Sequence, residues 1–163
     1  MTRTSGKLEI TTPGDNAILM TRELAAPRAV VWDAFTRPEL VRRWLLGPDG
    51  WDMVVCEIDL RVGGRYRYVW RRRSNGTEMG MGGVYREVAA PERLVSTERF
   101  DQPWYDGEAV GTLVLTERGG RTRVAQTMRY ASKAVRDAVL ASGMESGVAA
   151  SYDRLEAQLA ARP

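Results

Sequence analysis

What most constrains this chain is the order in which its local patterns come. Two short helical segments lie between residues 28 and 46, about 80 residues of strand-like sequence follow, and an amphipathic helix closes the chain. Strands joined by short turns pair into an antiparallel sheet, and the apolar face of such a sheet must be covered. The terminal helix is the one segment long enough to do it. A sheet wrapped around one long helix and roofed by two short ones leaves a hollow between the layers, the kind of place where small molecules lodge. With 163 residues there is chain for one domain with a substantial core and too little for two.

The local signals are specific. Residues 17 to 24 read as a first strand, ended by Ala25-Ala26-Pro27. Pro27 suits a first helical turn, and Val30, Val31, Ala34 and Phe35 form an apolar stripe up to Thr36. Pro38 opens a second short helix that stops at Gly47-Pro48-Asp49-Gly50. Strands are then predicted over 51–60, 64–73, 78–88, 93–100, 109–117 and 122–130. Val62-Gly63-Gly64, Ser74-Asn75-Gly76, Ala90-Pro91-Glu92, Gln102-Pro103 and Gly119-Gly120 supply the turns. With the first strand that makes a seven-stranded curved antiparallel sheet. From Ser132 the period changes: Met144, Val148, Ser151 or Tyr152, Leu155 and Leu159 recur every three to four residues, as in one long helix. Gly143 and Gly147 fall inside it, each costing about 1 kcal/mol against alanine, which calls for close packing or room for a ligand. Residues 1–16 read as a flexible leader, with no apolar run after Arg3 and Lys7 to make a secretory signal, and 17–163 as a single α+β domain.

Several function classes drop out. No stretch approaches the roughly 18 apolar residues of a membrane span. Cys56 stands alone, which precludes an internal disulfide, suits a cytoplasmic location and reads as buried packing. The net charge is +3, and Arg61, Arg65, Arg67, Arg71, Arg72 and Arg73 cluster. Most of them alternate with Tyr66, Tyr68 and Trp70 at strand period, so they belong to a solvated outer face rather than to a nucleic-acid surface. Exposed edge strands permit a homodimer without requiring one. There is no histidine, which removes the commonest general base, the serine triad and most zinc sites; no residue set calls for a metal or cofactor.

The remaining candidates are few. Asp59 and Arg61 share one face of a strand end and either pin a hairpin or hold a substrate carbonyl or carboxylate. The run Gly80-Met81-Gly82-Gly83 sits in a strand pattern and opens no helix, which favours a bulge or bent strand over a phosphate cradle. Glu98 shares a face with Leu94, Ser96 and Phe100. If that face points inward, burial raises the carboxyl's pKa toward general acid–base use; otherwise it ends at a rim. Tyr66, Tyr68 and Trp70 share one face, Met79 and Met81 another, and Val124, Gln126, Met128 and Tyr130 a third. Turned toward the terminal helix, with Met144 and Val148 opposite, these make an apolar chamber with Glu98, Gln126 and tyrosine hydroxyls as polar handles. Trp44 and Trp51 flank the Gly47–Gly50 loop as a lid at its mouth.

These residues carry a resemblance. The segment from Ala26 to Trp44, Asp59-Leu-Arg-Val-Gly-Gly-Arg-Tyr66, Gly83-Val-Tyr-Arg-Glu-Val88, Pro91 to Phe100, and Gly143-Met-Glu-Ser-Gly-Val148 with Asp153-Arg-Leu155 together resemble the homologues of the heat-shock protein 90 ATPase activator, from about residue 18 to 159. That resemblance implies the helix-grip, START-like fold of the SRPBCC superfamily. The amphipathic chamber and the missing catalytic set point to a small hydrophobic or aromatic ligand (a lipid, polyketide-like or similar metabolite) bound without turnover. Alternatives are a cyclase- or aromatase-like enzyme and a chaperone ATPase regulator. One departure stands out: where the family pattern usually has Gly-Trp in the last helix, this chain has Gly147-Val148, which removes a bulky wall from the pocket.

Overall fold

The computed structural model describes residues 2–162. After the hairpin β1 (Thr2–Ser5) and β2 (Leu8–Thr11) comes β3 (Ala17–Leu24), then the helices α1 (Arg28–Thr36) and α2 (Pro38–Trp44). Six strands follow: β4 (Trp51–Ile58), β5 (Arg65–Arg72), β6 (Glu78–Ala89), β7 (Arg93–Phe100), β8 (Ala109–Arg118) and β9 (Arg121–Arg129). The chain closes with α3 (Lys133–Ala141) and α4 (Met144–Ala160). Among the described residues the nine strands form one antiparallel sheet in the order β1-β2-β3-β9-β8-β7-β6-β5-β4.

Alternation decides which face is buried. In β5 the arginines 65, 67 and 71 are exposed while Tyr66 and Tyr68 are buried, and in β8 Ala109, Gly111, Leu113 and Leu115 point inward on every second residue. The outer arginines meet acids across the sheet: Arg67 with Asp101, Arg71 with Glu78, Arg73 with Asp52. That is the solvated face expected of them. Asp59 and Arg61 likewise pair with each other in the open, Nε lying 2.9 Å from Oδ2, and pin the turn after β4. Cys56 is buried, and burial pushes its thiol up to about 11, so it packs and does not react.

The helix boundaries follow from proline and glycine. Arg37 is extended (φ −96°, ψ 123°) because the residue before Pro38 avoids the helical region, and this breaks α1 from α2. The Trp44 indole N–H then donates to the Ala34 carbonyl at 2.9 Å and ties the two helices together. Where the sequence pattern predicts one long helix from Ser132, there are two: Gly143 takes φ +78°, ending α3 in the left-handed conformation that glycine enters without strain, and α4 starts afresh. Gly147 remains inside α4, where a Cβ would stand 3.3 Å from Pro48 Cδ, so its missing side chain admits the loop before β4.

The sheet also holds nine strands where seven are expected. Residues read as a leader contain β1 and β2, joined through Gly6 (φ +60°), with Leu8 and Ile10 fully buried against the core. Lys7 and Arg3 reach Glu156 and Glu145 on α4 and seat the hairpin on that helix. Curvature on the other side comes from irregular pairing at Met53/Val55 in β4 and Tyr85/Glu87 in β6. The glycines of β6 answer to backbone: a Cβ on Gly83 would collide with the Thr97 carbonyl oxygen, and one on Gly82 would come within 2.6 Å of the Tyr66 carbonyl oxygen. The phosphate-cradle alternative for this run is thereby replaced by close strand approach.

Candidate functional site

A cavity of about 610 Å³ lies between the curved sheet and the helices α2 and α4. All fourteen residues predicted as lining reach it: Trp44, Trp51, Tyr66, Tyr68, Trp70, Met79, Met81, Glu98, Phe100, Gln126, Met128, Tyr130, Met144 and Val148. For those on β5, β6, β7 and β9 the reason is strand periodicity on a bent sheet, which turns every second side chain toward the helices; Val124, on the same face of β9, is fully buried in the core and does not reach the cavity.

The roof is fastened to α4 and to β5. Gly47 N–H donates to Ser151 Oγ at 2.9 Å, Arg154 donates to the Gly47 carbonyl at 2.7 Å and to Asp49 at 2.8 Å, and the Trp70 indole N–H donates to the Leu45 carbonyl at 2.7 Å. Trp44 is no lid. It is 2% exposed, stacked on Tyr152 with centroids 5.8 Å apart and edge-on to Phe35 at 4.8 Å, because its short helix turns the ring inward under α4. The opening lies where lining residues are exposed, at Met79 (45%) and Trp104 (49%). Trp51 stands beside them with the Arg72 guanidinium 5.1 Å from its ring centroid.

Glu98 faces inward and not along a rim. It is partly buried, and the surface it keeps belongs to the cavity wall. Burial pushes its carboxyl up to about 7; the Tyr105 hydroxyl, donating to Oε2 at 3.3 Å, pulls the other way and loses. Around it the phenols of Tyr66, Tyr105 and Tyr130 are held protonated far above neutrality, first by burial and then by the Glu98 charge. Tyr66 is already satisfied, donating to the Thr97 carbonyl at 2.6 Å. Gln126 has only a weak contact to Met128 Sδ at 3.4 Å, and Gly111 leaves both side chains their space, since a Cβ there would meet Gln126 Nε2 at 2.9 Å. Among the described residues no three His, Cys, Asp or Glu side chains gather as a metal site, and no helix is long and apolar enough to cross a membrane.

Sequence reasoning missed Tyr105, Trp104, Phe35, Tyr85 and Tyr152 as lining residues. Tyr85 was within reach, four residues from Met81 on the same strand face. Tyr105 was not: it sits in the aperiodic stretch between β7 and β8, placed by edge-on contacts with Phe100 and Tyr130.

A sheet gripping a terminal helix over an aromatic hollow defines the helix-grip fold of the SRPBCC superfamily. Within it, the chain belongs to the family described as Activator of Hsp90 ATPase homolog 1-like protein, which matches residues 25–160. It is similar to a crystal structure of a Rhodobacter sphaeroides protein, at 32% identity and TM-score 0.90 over 96% of this chain and 99% of that one. A Chromobacterium violaceum protein shares 28% identity, with TM-score 0.78 over 88% of this chain and 96% of the other. An Arthrobacter aurescens protein, at 23% identity, TM-score 0.82 and coverage of 94% and 91%, shares the fold. No curated protein matches the chain.

Proposed function

We propose that this protein binds a small hydrophobic or aromatic molecule in the cavity between sheet and α4, as a carrier or sensor without turnover. The observation that carries this is the hollow itself: about 610 Å³ walled by aromatic and methionine side chains, with Glu98, Gln126 and tyrosine hydroxyls as its polar points. Such a lining favours an apolar body through burial and fixes its orientation through one or two hydrogen bonds. Native mass spectrometry of the purified protein, joined to a thermal-shift panel of fatty acids, sterols and polycyclic aromatics, tests it. A bound species or a rise of several degrees with one ligand class supports the reading, and no adduct with a flat response across the panel sinks it.

Glu98 favours a second reading. A carboxyl titrating near neutrality beside a tyrosine hydroxyl, inside a substrate-sized space, is equipped to give and take a proton, as a cyclase- or aromatase-like enzyme requires. In that case Glu98→Gln abolishes conversion of an aromatic polyketone while far-ultraviolet circular dichroism stays unchanged; undiminished conversion removes Glu98 from the chemistry.

A further inference from the structure

Among the described residues, Glu98 is the one acidic side chain in the cavity wall and Arg72, out at the mouth against Trp51, the one basic side chain. The Glu98 carboxyl has one hydrogen bond, from Tyr105, and no Lys or Arg helps to hold it charged. The groups that face it come from three places: Tyr66 on β5 with Tyr68 beyond, Tyr105 from the stretch before β8, and Tyr130 just after β9. All are neutral phenols. The Tyr105 and Tyr130 rings meet edge to face, centroids 5.5 Å apart at 88°, and Phe100 continues the wall at 6.2 Å from Tyr105.

A lone acidic group set among aromatic faces, with no cation of the protein's own, is the chemistry that takes an organic cation. The carboxylate supplies the counter-charge and the free acceptor, and ring faces attract positive charge through their quadrupole. We infer that the guest is a hydrophobic amine, its ammonium donating to Glu98 between Tyr105 and Tyr130 and its apolar body lying against Tyr66, Met81, Phe100 and Met128. This deepens the binding reading and rests on it. An acid in the same place would set like charges together, and an alcohol would bring the hydrogen bond without the counter-charge.

A matched series separates these cases: 1-naphthylmethylamine, 1-naphthalenemethanol and 1-naphthoic acid, titrated calorimetrically into the full chain at pH 8. The amine is expected to bind at least tenfold more tightly than the alcohol, with the acid weakest. Glu98→Gln should cost the amine at least tenfold more than it costs the alcohol. In the unsubstituted protein the amine's affinity should fall toward tenfold per pH unit below about 7, as Glu98 takes up the proton that the ammonium must displace; the alcohol should show no such fall. An alcohol that binds as well as the amine, or an amine indifferent to Glu98→Gln, overturns the inference and leaves the container standing. Failure of all three to bind overturns the inference, and the container reading is then decided by the fatty-acid, sterol and polycyclic-aromatic panel.

Discussion

At the scale of single residues, Glu98 has the largest consequence, because a carboxyl kept from water costs stability whenever it is ionised. Its ordinary value is near 4.5 and its folded value about 7. Between those limits the folded state holds a proton that the unfolded chain releases, so the contribution of this group is full below about 4.5, declines as pH rises to 7 and then levels off. Over this window of two to three pH units the loss is on the order of 3 kcal/mol. Glu98→Gln cannot ionise and should abolish the decline, making the variant more stable than the parent at pH 8 and little different at pH 4.5. Urea unfolding at the two pH values checks it, and a parent whose midpoint does not fall between them contradicts the burial of this group. Tyr105→Phe should raise the Glu98 pKa further, since it removes the one hydrogen bond that lowers it.

At the scale of elements, α4 is held on the sheet by Arg22, a fully buried side chain in β3 that reaches Asp153 at 3.0 Å and Glu156 at 3.1 Å. The partners differ in setting: both carboxylates keep contact with water, the guanidinium keeps none. Removing the acids strands a buried charge, whereas removing the arginine leaves solvated carboxylates, so Asp153→Asn with Glu156→Gln should destabilise by about 3–5 kcal/mol and Arg22→Met by clearly less. Thermal unfolding of the two variants orders them. Glycines divide in the same way: Gly143→Ala meets no neighbour and costs only its left-handed backbone, about 1–2 kcal/mol, while Gly83→Ala forces β6 away from the Thr97 carbonyl and should prevent folding. These elements also show what periodicity can reveal. The bounds of β3 and β7 and the inward sets of β5 and β9 were legible because alternation over eight or nine residues leaves one register that buries the apolar side. β1 and β2, four residues each, are too short to set a pattern, and their place depends on Leu8 and Ile10 finding a core that only the folded sheet provides. The α3–α4 break was hidden because Leu140 and Met144 keep the four-residue spacing across Gly143, so the apolar stripe runs on through the turn. Trp44 reads as a lid from its position beside Gly47 and turns out to be core, since only packing against Tyr152 decides its side.

At the scale of the whole molecule, everything functional depends on the sheet standing off from α4, and Val148 tests that distance. It lines the cavity from the helix side, next to Gly147, where the resemblance read from the sequence implies a bulkier residue. If the space is hollow, Val148→Trp enters it without displacing protein and buries apolar surface at about 25 cal/mol per Å², so stability should hold or rise by about 1 kcal/mol. If the space were tightly packed, the same substitution would overpack it and cost about 1–3 kcal/mol. The guest should respond in the opposite sense: whatever ligand raises the melting temperature of the parent should lose most of its effect on the variant, because the indole takes volume that the ligand's apolar body needs. Opposite signs for stability and binding cannot come from a damaged fold, which lowers both. Paired melting curves of parent and variant, with and without ligand, therefore decide whether this helix-grip frame is a container or a filled core.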